Sequence, residues 1–276
     1  MELKGKSVLV LGATGMAGQA ITKALLRENV GTLILTSLFE DEVTAFSENL
    51  SQEFKSTLPK MELAWGNFLF RHEWKDLTRQ ELLSDSKIRQ QLILDILEPL
   101  NKDILTSSEI YYLCFHYKPD IIIDTINLAT ALPYQDFLGL AKEALYSIKK
   151  SIAENCFSEA SIQAIEKLLL SQETPHLIRH MQIFFQSMME AKTKLYLKIG
   201  ASGNGSLGFN NPFTHTEDSP SQTLLSKSTL AGAHSLLLFL MTQTPGAPII
   251  KEIKPRAAVA WKQIGFGPIT QKGKAI

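Results

Sequence analysis

The sequence is poor in cysteine and has no excess of charge of either sign. Its 276 residues include two cysteines, and Lys plus Arg and Asp plus Glu both number 28. Cys114 and Cys156 lie far apart in segments with a helical pattern, and no CxxC pair is present, which predicts buried free thiols in a reducing compartment. The balanced charge argues against nucleic acid as a partner, because such binding depends on basic residues that neutralise phosphates.

Segments typical of export and of membrane insertion are also missing. Residues 1–6 lead into a short strand-like run rather than a secretory apolar region. The apolar stretch 236–241 is too short to span a bilayer. A GxxxxGK[ST] loop and a GxSxG elbow are absent, which argues against a P-loop phosphohydrolase and an α/β-hydrolase. We therefore expect a cytoplasmic protein with no membrane partner.

What is present is a regular alternation of short apolar runs and helical patterns. The first run, Ser7 to Leu11, ends in glycine, as a buried parallel strand does before a tight turn. Helical spacing of apolar residues follows at 16–28 and again at 39–54. Strands are predicted at 7–11, 33–35, 61–65, 120–124, 195–199 and 248–253. This order predicts an α/β fold, a Rossmann-type doubly wound parallel sheet with extra helical insertions.

Two spacers are far longer than a β-α-β crossover requires. They span about 68–117 and 128–194, and both carry apolar stripes at helical spacing. We interpret them as helical insertions in one domain covering 1–276, serving as a lid or as a homo-oligomer face. The Met- and Phe-rich stripe from Leu177 to Met188 is predicted to be helix core rather than a partner surface, and His176 and His180 to be packing residues rather than metal ligands.

The loop 12–18 carries the clearest chemical signal. It places Gly12, Gly15 and Gly18 directly between a strand and a helix. The first glycine permits the tight turn, the second lets backbone N–H groups approach a pyrophosphate, and the third lets the helix pack on the strand. The helix N-terminus adds partial positive charge. The loop therefore predicts binding of NAD or NADP.

This loop resembles the GxxGxxG signature of extended short-chain dehydrogenases/reductases, the relatives of NAD-dependent epimerases and dehydratases. Further segments resemble that family in the same order along nearly the whole chain: Gly66-Asn67-Phe68, Lys118-Pro119-Asp120 leading into Asp124-Thr125-Ile126-Asn127, Gly200-Ala201-Ser202, the loop 212–220, Ser226-Lys227 and Lys254-Pro255. The resemblance implies that Asn67 replaces the family's adenine-binding acid, and that Ser202 stands where the family has its catalytic serine.

The resemblance breaks at the catalytic tyrosine. The family places it four residues before the lysine, but this chain has Thr223 before Lys227. A threonine hydroxyl titrates too high to replace a tyrosine beside one lysine. Lys227 is still expected to hold the ribose hydroxyls, and the glycine-rich stretch 202–208 is as consistent with a ligand-approaching loop as with catalysis.

The end of the second strand bears on the choice of cofactor. It has Thr36 and Ser37 where NAD-specific domains have an acid, which favours NADP over NAD. The predicted catalytic residues are Ser202, Thr223 and Lys227, with no metal. The predicted cofactor-binding residues are Gly12, Thr14, Gly15, Met16, Ala17, Gly18, Thr36, Ser37, Asn67, Phe68 and Lys227.

Three functional hypotheses remain open on the sequence alone. The first is an NAD(P)-dependent oxidoreductase or epimerase/dehydratase acting on a small-molecule substrate. The second is a non-enzymatic or regulatory dinucleotide-binding protein that has lost the tyrosine. The third is a truncated chain of a longer enzyme, because the family's substrate-binding C-terminal segment is expected after 265–268.

Overall fold

The computed structural model of the chain describes residues 2–54, 58–126, 137–199, 222–253, 270–271 and 274–275. Within these ranges, the side chains of 138, 222–229, 231, 270–271 and 274–275 lie outside the description. Six short runs rich in Leu, Ile and Val form the strands of the main sheet. They are β1 Ser7–Leu11, β2 Thr32–Ser37, β3 Lys60–Trp65, β4 Ile121–Asp124, β5 Leu195–Ile199 and β6 Ile249–Ile253.

All six strands are parallel, in the order β3-β2-β1-β4-β5-β6. This is the strand order of the Rossmann fold, so the fold predicted from the alternating pattern is confirmed. In the central strand, Val8 pairs with Leu33 on one side and with Ile121 on the other. Such strands are buried on both faces, which explains why their sequences are continuously apolar rather than alternating. Two strands of two residues each, β7 Thr270–Gln271 and β8 Lys274–Ala275, form a separate antiparallel pair.

Helices connect the strands and form the two longer insertions. Those between β1 and β3 are α1 Met16–Leu25, extended by the 3-10 turn Leu26–Glu28, and α2 Glu40–Phe54. Those between β3 and β4 are the 3-10 turn His72–Trp74, α3 Arg79–Ser84, α4 Ser86–Leu97, α5 Lys102–Ser107 and α6 Glu109–Tyr117. The remaining ones are α7 Phe137–Ala153, α8 Glu159–Leu170, α9 Glu173–Ala191 and α10 Gln222–Met241.

The sheet separates two apolar cores. One face packs against α1 and α2, through residues such as Leu25, Val43 and Leu50. The opposite face packs against α6, α9 and α10, through residues such as Leu113 and Phe184. The Met- and Phe-rich stripe of α9 belongs to this second core, as the sequence predicts.

The two insertions pack against each other rather than standing apart. Thr78 and Glu81 form a reciprocal capping box at the start of α3, and Asp85 caps α4. A buried ion pair, Arg89 Nε to Glu166 Oε2 at 2.7 Å, then joins α4 to α8. Because each insertion supplies one partner, neither can bury its charge alone.

Two further expectations meet the structure here. Cys114 is buried in α6, as predicted. Cys156 is exposed and lies after the end of α7, so its prediction as a buried helical thiol is wrong; the helix stops at Ala153, three residues too early to bury it. Within the described ranges, none of the helices has the length and apolar character that a transmembrane span requires.

Candidate functional site

The glycine loop joins the end of β1 to the first turn of α1. Gly12 has φ +77°, a conformation that L side chains rarely adopt. The next amide, of Ala13, donates to the Thr36 carbonyl at 2.7 Å, which fixes the turn against the end of β2. Helix α1 then begins with Gly15 as its N-cap residue, and among the described residues no side chain caps this end. Its first backbone N–H groups and positive end therefore face outward, where an anion binds most favourably.

The other two glycines differ sharply in the space around them. A Cβ at Gly18 would lie 2.1 Å from the Gly12 carbonyl oxygen, so only glycine lets α1 approach the loop this closely. A Cβ at Gly15 would meet only that same oxygen, at 3.4 Å, an ordinary contact. Gly15 and Met16 are exposed. The close packing thus depends on Gly18, whereas Gly15 leaves an open cradle in front of the helix.

Polar side chains at the end of β2 form a network that reaches the loop. Thr36 is fully buried, where its hydroxyl donates to the Val10 carbonyl and accepts from the Gly12 amide. Thr36 thus holds the glycine turn, and its hydroxyl is occupied within the protein. Ser37 instead turns its hydroxyl to Thr14, with the two oxygens 2.7 Å apart.

The acid that the sequence appeared to lack at this position is supplied by helix α2. Ser37 Oγ donates to Glu42 Oε2 at 2.5 Å, and Thr14 Oγ1 lies 3.3 Å from the same oxygen. Glu42 is an exposed residue in the first turn of α2, five residues after Ser37. The sequence analysis considered only the end of β2 itself, so it did not include this carboxylate from α2. The acidic first turn of α2, Glu40-Asp41-Glu42, was the signal that could have located it.

The step after β3 has two distinct parts. The side-chain Oδ1 of Asn67 accepts a hydrogen bond from the backbone amide of Leu69 at 3.1 Å. The backbone N–H of Asn67 donates to the Lys75 carbonyl. Phe68 is buried in the core between the sheet and α6, α9 and α10. No described residue accepts a hydrogen bond from the side-chain NH2 of Asn67, whereas the ring of Phe68 contributes to packing.

A buried polar cluster that the sequence did not reveal lies at the ends of β4 and β5. Asp124 Oδ2 accepts from Tyr196 Oη at 2.7 Å and lies 2.9 Å from Lys198 Nζ, while Oδ1 accepts from the Ile126 amide at 2.8 Å. Lys198 also donates to the Ile126 carbonyl at 2.7 Å. Burial would raise the pKa of Asp124, but Lys198 and the hydrogen bonds outweigh it and hold that pKa below its usual value.

This cluster shapes the turn that lies beside the glycine loop. The Thr125 hydroxyl donates to the Leu11 carbonyl at 2.8 Å, and its backbone amide donates to the same carbonyl at 3.0 Å.

Tyr196 is wholly buried, and burial with the nearby Asp124 raises its pKa well above the ordinary value. Tyr196 therefore cannot act as an acid or base near neutral pH, because its hydroxyl is buried and its pKa is raised.

The predicted catalytic residues fall where the structure gives no side-chain geometry. Thr223 and Lys227 lie in the first two turns of α10, in the stretch whose side chains are outside the description. Ser202, Asn127, the loop 212–220 and Lys254-Pro255 lie outside the described residues altogether. Their roles remain predictions.

Comparison with known proteins gives similarity only at the level of solved structures. No protein-family model matches the sequence, and a search of curated proteins returns no relative. Among the solved structures that match are Pen from Bacillus thuringiensis, with 11% identity, 92% of this chain covered and a TM-score of 0.42, and the Bordetella bronchiseptica enzyme WbmH in complex with NAD+, with 8%, 90% and 0.40. A third is a putative short chain dehydrogenase from Escherichia coli CFT073, with 11%, 92% and 0.44.

The lengths of these proteins differ from that of this chain. The match spans 51% of Pen, 55% of WbmH and 82% of the Escherichia coli protein. This chain therefore corresponds to about half the length of the first two. Identities and TM-scores this low assign no function to this chain.

Proposed function

We propose that this chain binds a nicotinamide dinucleotide and belongs functionally with the oxidoreductases and epimerases of the extended short-chain dehydrogenase class. The observation that carries the proposal is the cradle at Gly15, which opens in front of the first turn of α1. The cradle lies at the carboxyl end of β1, beside the point between β1 and β4 where the strand order of the sheet reverses. Parallel sheets of this order bind dinucleotides at that point. When bound, the nicotinamide would supply hydride transfer.

The residues present fit such a cofactor. Backbone N–H groups at 16–18 would hold the pyrophosphate, because that of Gly15 already donates to the Gly12 carbonyl. Asn67 would offer its side-chain NH2 to the adenine. Ser37 and Glu42 would meet the adenosine ribose. A carboxylate accepts hydrogen bonds from a ribose 2′-OH and repels a 2′-phosphate. Glu42 therefore favours NAD, in contrast to the NADP that Thr36 and Ser37 favour when the sequence is considered alone.

The chemistry at the reacting carbon remains with residues at the start of α10 and in the preceding loop. Lys227 would hold the ribose hydroxyls, and Ser202 would hydrogen-bond the substrate. The hydroxyls of Ser202 and Thr223 titrate too high for either to serve as the acid or base, and Tyr196 is buried. A dinucleotide-binding protein without turnover is the alternative that the missing tyrosine favours. The half-length match to Pen and WbmH favours a second alternative, in which further substrate-binding residues lie on a longer polypeptide.

Binding can be tested at the glycine that leaves the cradle open. Titration with NADH, followed by cofactor fluorescence, should give a Kd in the micromolar range, which corresponds to a binding free energy of about −8 kcal/mol. Gly15→Val should abolish binding, since its branched side chain would fill the pyrophosphate space, and should leave the melting temperature nearly unchanged, since a Cβ fits there. Gly18→Ala is the contrasting variant, expected to destabilise the fold itself. Equal NADH binding by Gly15→Val and wild type would refute the site.

The preference between the two cofactors can be tested at Glu42. Glu42→Gln should shift the ratio of NADPH to NADH affinity towards NADPH by about tenfold or more, because a charged hydrogen-bond acceptor is lost. Glu48→Gln is the matched control, an exposed acid on the same helix that does not line the groove beside Gly15 and Glu42. An unchanged ratio in Glu42→Gln would show that the Glu42 carboxylate does not meet the ribose.

The start of α10 can be tested by separating binding from turnover. Lys227→Ala should weaken NADH binding, while Thr223→Ala should leave binding unchanged and alter any turnover by well under the ~100-fold expected for a true acid or base. If Thr223→Ala destroys turnover but retains folding and binding, the role given to Thr223 is wrong. If no turnover is found with either cofactor, the non-enzymatic alternative is the better one.

A further inference from the structure

A second pocket lies between the helical insertions, away from the glycine loop. It is bordered by the segment after β3 and by α4, α5, α6, α9 and α10. The pocket shares no lining residue with the groove beside Gly15 and Glu42. Its cavity of about 60 Å³ is well above the ~10–15 Å³ that a cavity needs to hold one water molecule.

The walls of this insertion pocket are mostly apolar. They include Phe68, Phe70, Leu92, Ile104, Ile110 and Ile183. Walls of this kind favour the apolar part of a small molecule, and water inside them finds few hydrogen-bond partners.

One cation in the lining is not balanced by partners of its own. Arg179, on α9, is only 8% exposed. Its Nη2 donates to the Glu98 carbonyl at the end of α4. Among the described residues, its Nε and Nη1 are buried without any hydrogen-bond partner. A guanidinium stays charged in a protein, so a buried cation of the pocket lining has two unpaired donors.

The other polar groups of the lining are neutral or already engaged. Arg71 is held by Asp95 through two hydrogen bonds of 2.7 Å and by Asp103 at 2.9 Å. Burial lowers the pKa of His176 and of His180 to about 4, so both are uncharged at neutral pH. Glu173, at the start of α9, is the remaining acid, and burial raises the pKa of its carboxyl group.

We propose that the insertion pocket binds a small carboxylate with a short apolar chain, its carboxylate on Arg179 and its chain against the walls formed by Phe68, Phe70 and Ile183. The ligand would supply the acceptors that Nε and Nη1 lack, and burying an apolar chain beside a paired charge satisfies both parts of the lining. Because the pocket is separate from the glycine loop, this site is distinct from the one proposed for the dinucleotide.

Butyrate, with six heavy atoms, is the probe for this site. Its titration into the full chain, followed by saturation-transfer difference NMR, gives Kd directly. Butyramide is the matched neutral probe and should bind about tenfold or more weakly, because it lacks the charge that Arg179 requires. Inorganic phosphate carries charge without an apolar chain and should not displace butyrate.

Three variants assign the effect to the pocket. Arg179→Met should weaken butyrate binding about tenfold or more, through loss of the cation at similar side-chain length. Ile96→Phe should also abolish binding, by filling the cavity while leaving the charge in place. Glu173→Gln should bind butyrate as tightly as wild type or more tightly, since an acid near the ligand is removed. NADH titration of each variant should be unchanged.

The outcomes separate the competing explanations. Equal binding of butyrate and butyramide would overturn the proposal in favour of a purely apolar cavity. Displacement of butyrate by phosphate would show a general anion site and would also overturn it. If Arg179→Met does not fold, Ile96→Phe with the butyrate and butyramide pair still decides the question. Failure of NADH binding in the wild type would refute the dinucleotide proposal and leave the butyrate result standing.

Discussion

Two buried cations, Lys198 on β5 and Arg179 on α9, differ in how their charge is balanced. Lys198, 3% exposed, contacts Asp124 and the Ile126 carbonyl, and Asp124 in turn accepts from Tyr196 and from the Ile126 amide. Arg179, 8% exposed, uses one nitrogen to cap α4, and its other two find no partner among the described residues.

The difference separates a structural charge from one that is suited to bind something. A buried ion needs a counter-ion and hydrogen bonds to offset its desolvation, and the Asp124 cluster has both. The charge on Arg179 has neither in full, so it costs stability unless a ligand completes it. Removing a member of the Asp124 cluster should therefore cost much more stability than removing Arg179, and the following changes test that contrast.

The largest expected effect follows from removing the counter-ion of Lys198. Asp124→Asn should lower the free energy of unfolding by about 3–5 kcal/mol, because it leaves an uncompensated ammonium in the interior. Urea denaturation monitored by circular dichroism measures this loss. Asp120→Asn, at the other end of β4, is the control; its pair with Lys194 lies near the surface, and only a small fraction of that loss is expected. Similar losses in both variants would contradict the structural role of Asp124.

A smaller effect is expected from the hydroxyl that donates to the same carboxylate. Tyr196→Phe should cost about 1.5–3 kcal/mol, the range for a buried hydrogen bond to a charged group. Tyr111→Phe provides the comparison, because its hydroxyl donates to Glu190 at 2.9 Å near the surface. Both variants can be measured by the same denaturation experiment, and a cost at Tyr196 no greater than at Tyr111 would argue against the cluster.

Acid titration should reveal part of the same contribution. The folded pKa of Asp124 is depressed, so its stabilisation is complete above the unfolded value of about 3.9 and is lost as pH falls through the folded pKa. The stability difference between wild type and Asp124→Asn should therefore narrow below about pH 4. Protonation of buried His176 and His180 destabilises both proteins at low pH, so the difference, rather than either curve, is the measurement. A difference that stays constant from pH 7 to 3 would show that Asp124 does not titrate in this way.

The smallest effect is expected at the unbalanced cation. Arg179→Met should change the free energy of unfolding by no more than about 1 kcal/mol, because loss of one capping hydrogen bond is offset by removal of an unpaired charge. Arg89→Met is the matched control, since it strands Glu166 in the interior and should cost about 3–5 kcal/mol. Comparable losses in both arginine variants would show that the charge of Arg179 is balanced in the folded protein as fully as that of Arg89.

The sequence predicts those parts of the molecule that depend on local pattern. Each strand of the sheet is a short apolar run, and the glycine loop identifies itself through spacing, because the turn, the cradle and the close packing each need a glycine at a set position. Each of these features depends on about a dozen neighbouring residues. The Rossmann-type sheet and the position of the loop could therefore both be predicted from the sequence.

Features set by distant segments were not accessible in this way. The carboxylate of Glu42 reaches Ser37 only because α2 folds back over the end of β2, and the exposure of Cys156 depends on where α7 stops. Arg179 looks like an ordinary helix residue in the sequence. Its burial depends on packing of α9 against α4, α5 and α6, which lie more than sixty residues earlier in the sequence.

The pairing of β1 with β4 has a consequence for the order in which the protein can be built. The Ser7 amide and the Asp120 carboxylate, joined at the start of this ladder, are 113 residues apart. The conformational entropy of so long a loop must be lost before the contact contributes any stability. This step is therefore slow compared with the formation of α1 or of the β1–β2 pair. On a ribosome the cradle at Gly15 can be shaped early, but the wall beside Thr125 must wait until β4 has emerged. The cofactor would thus stabilise a finished sheet rather than guide its assembly.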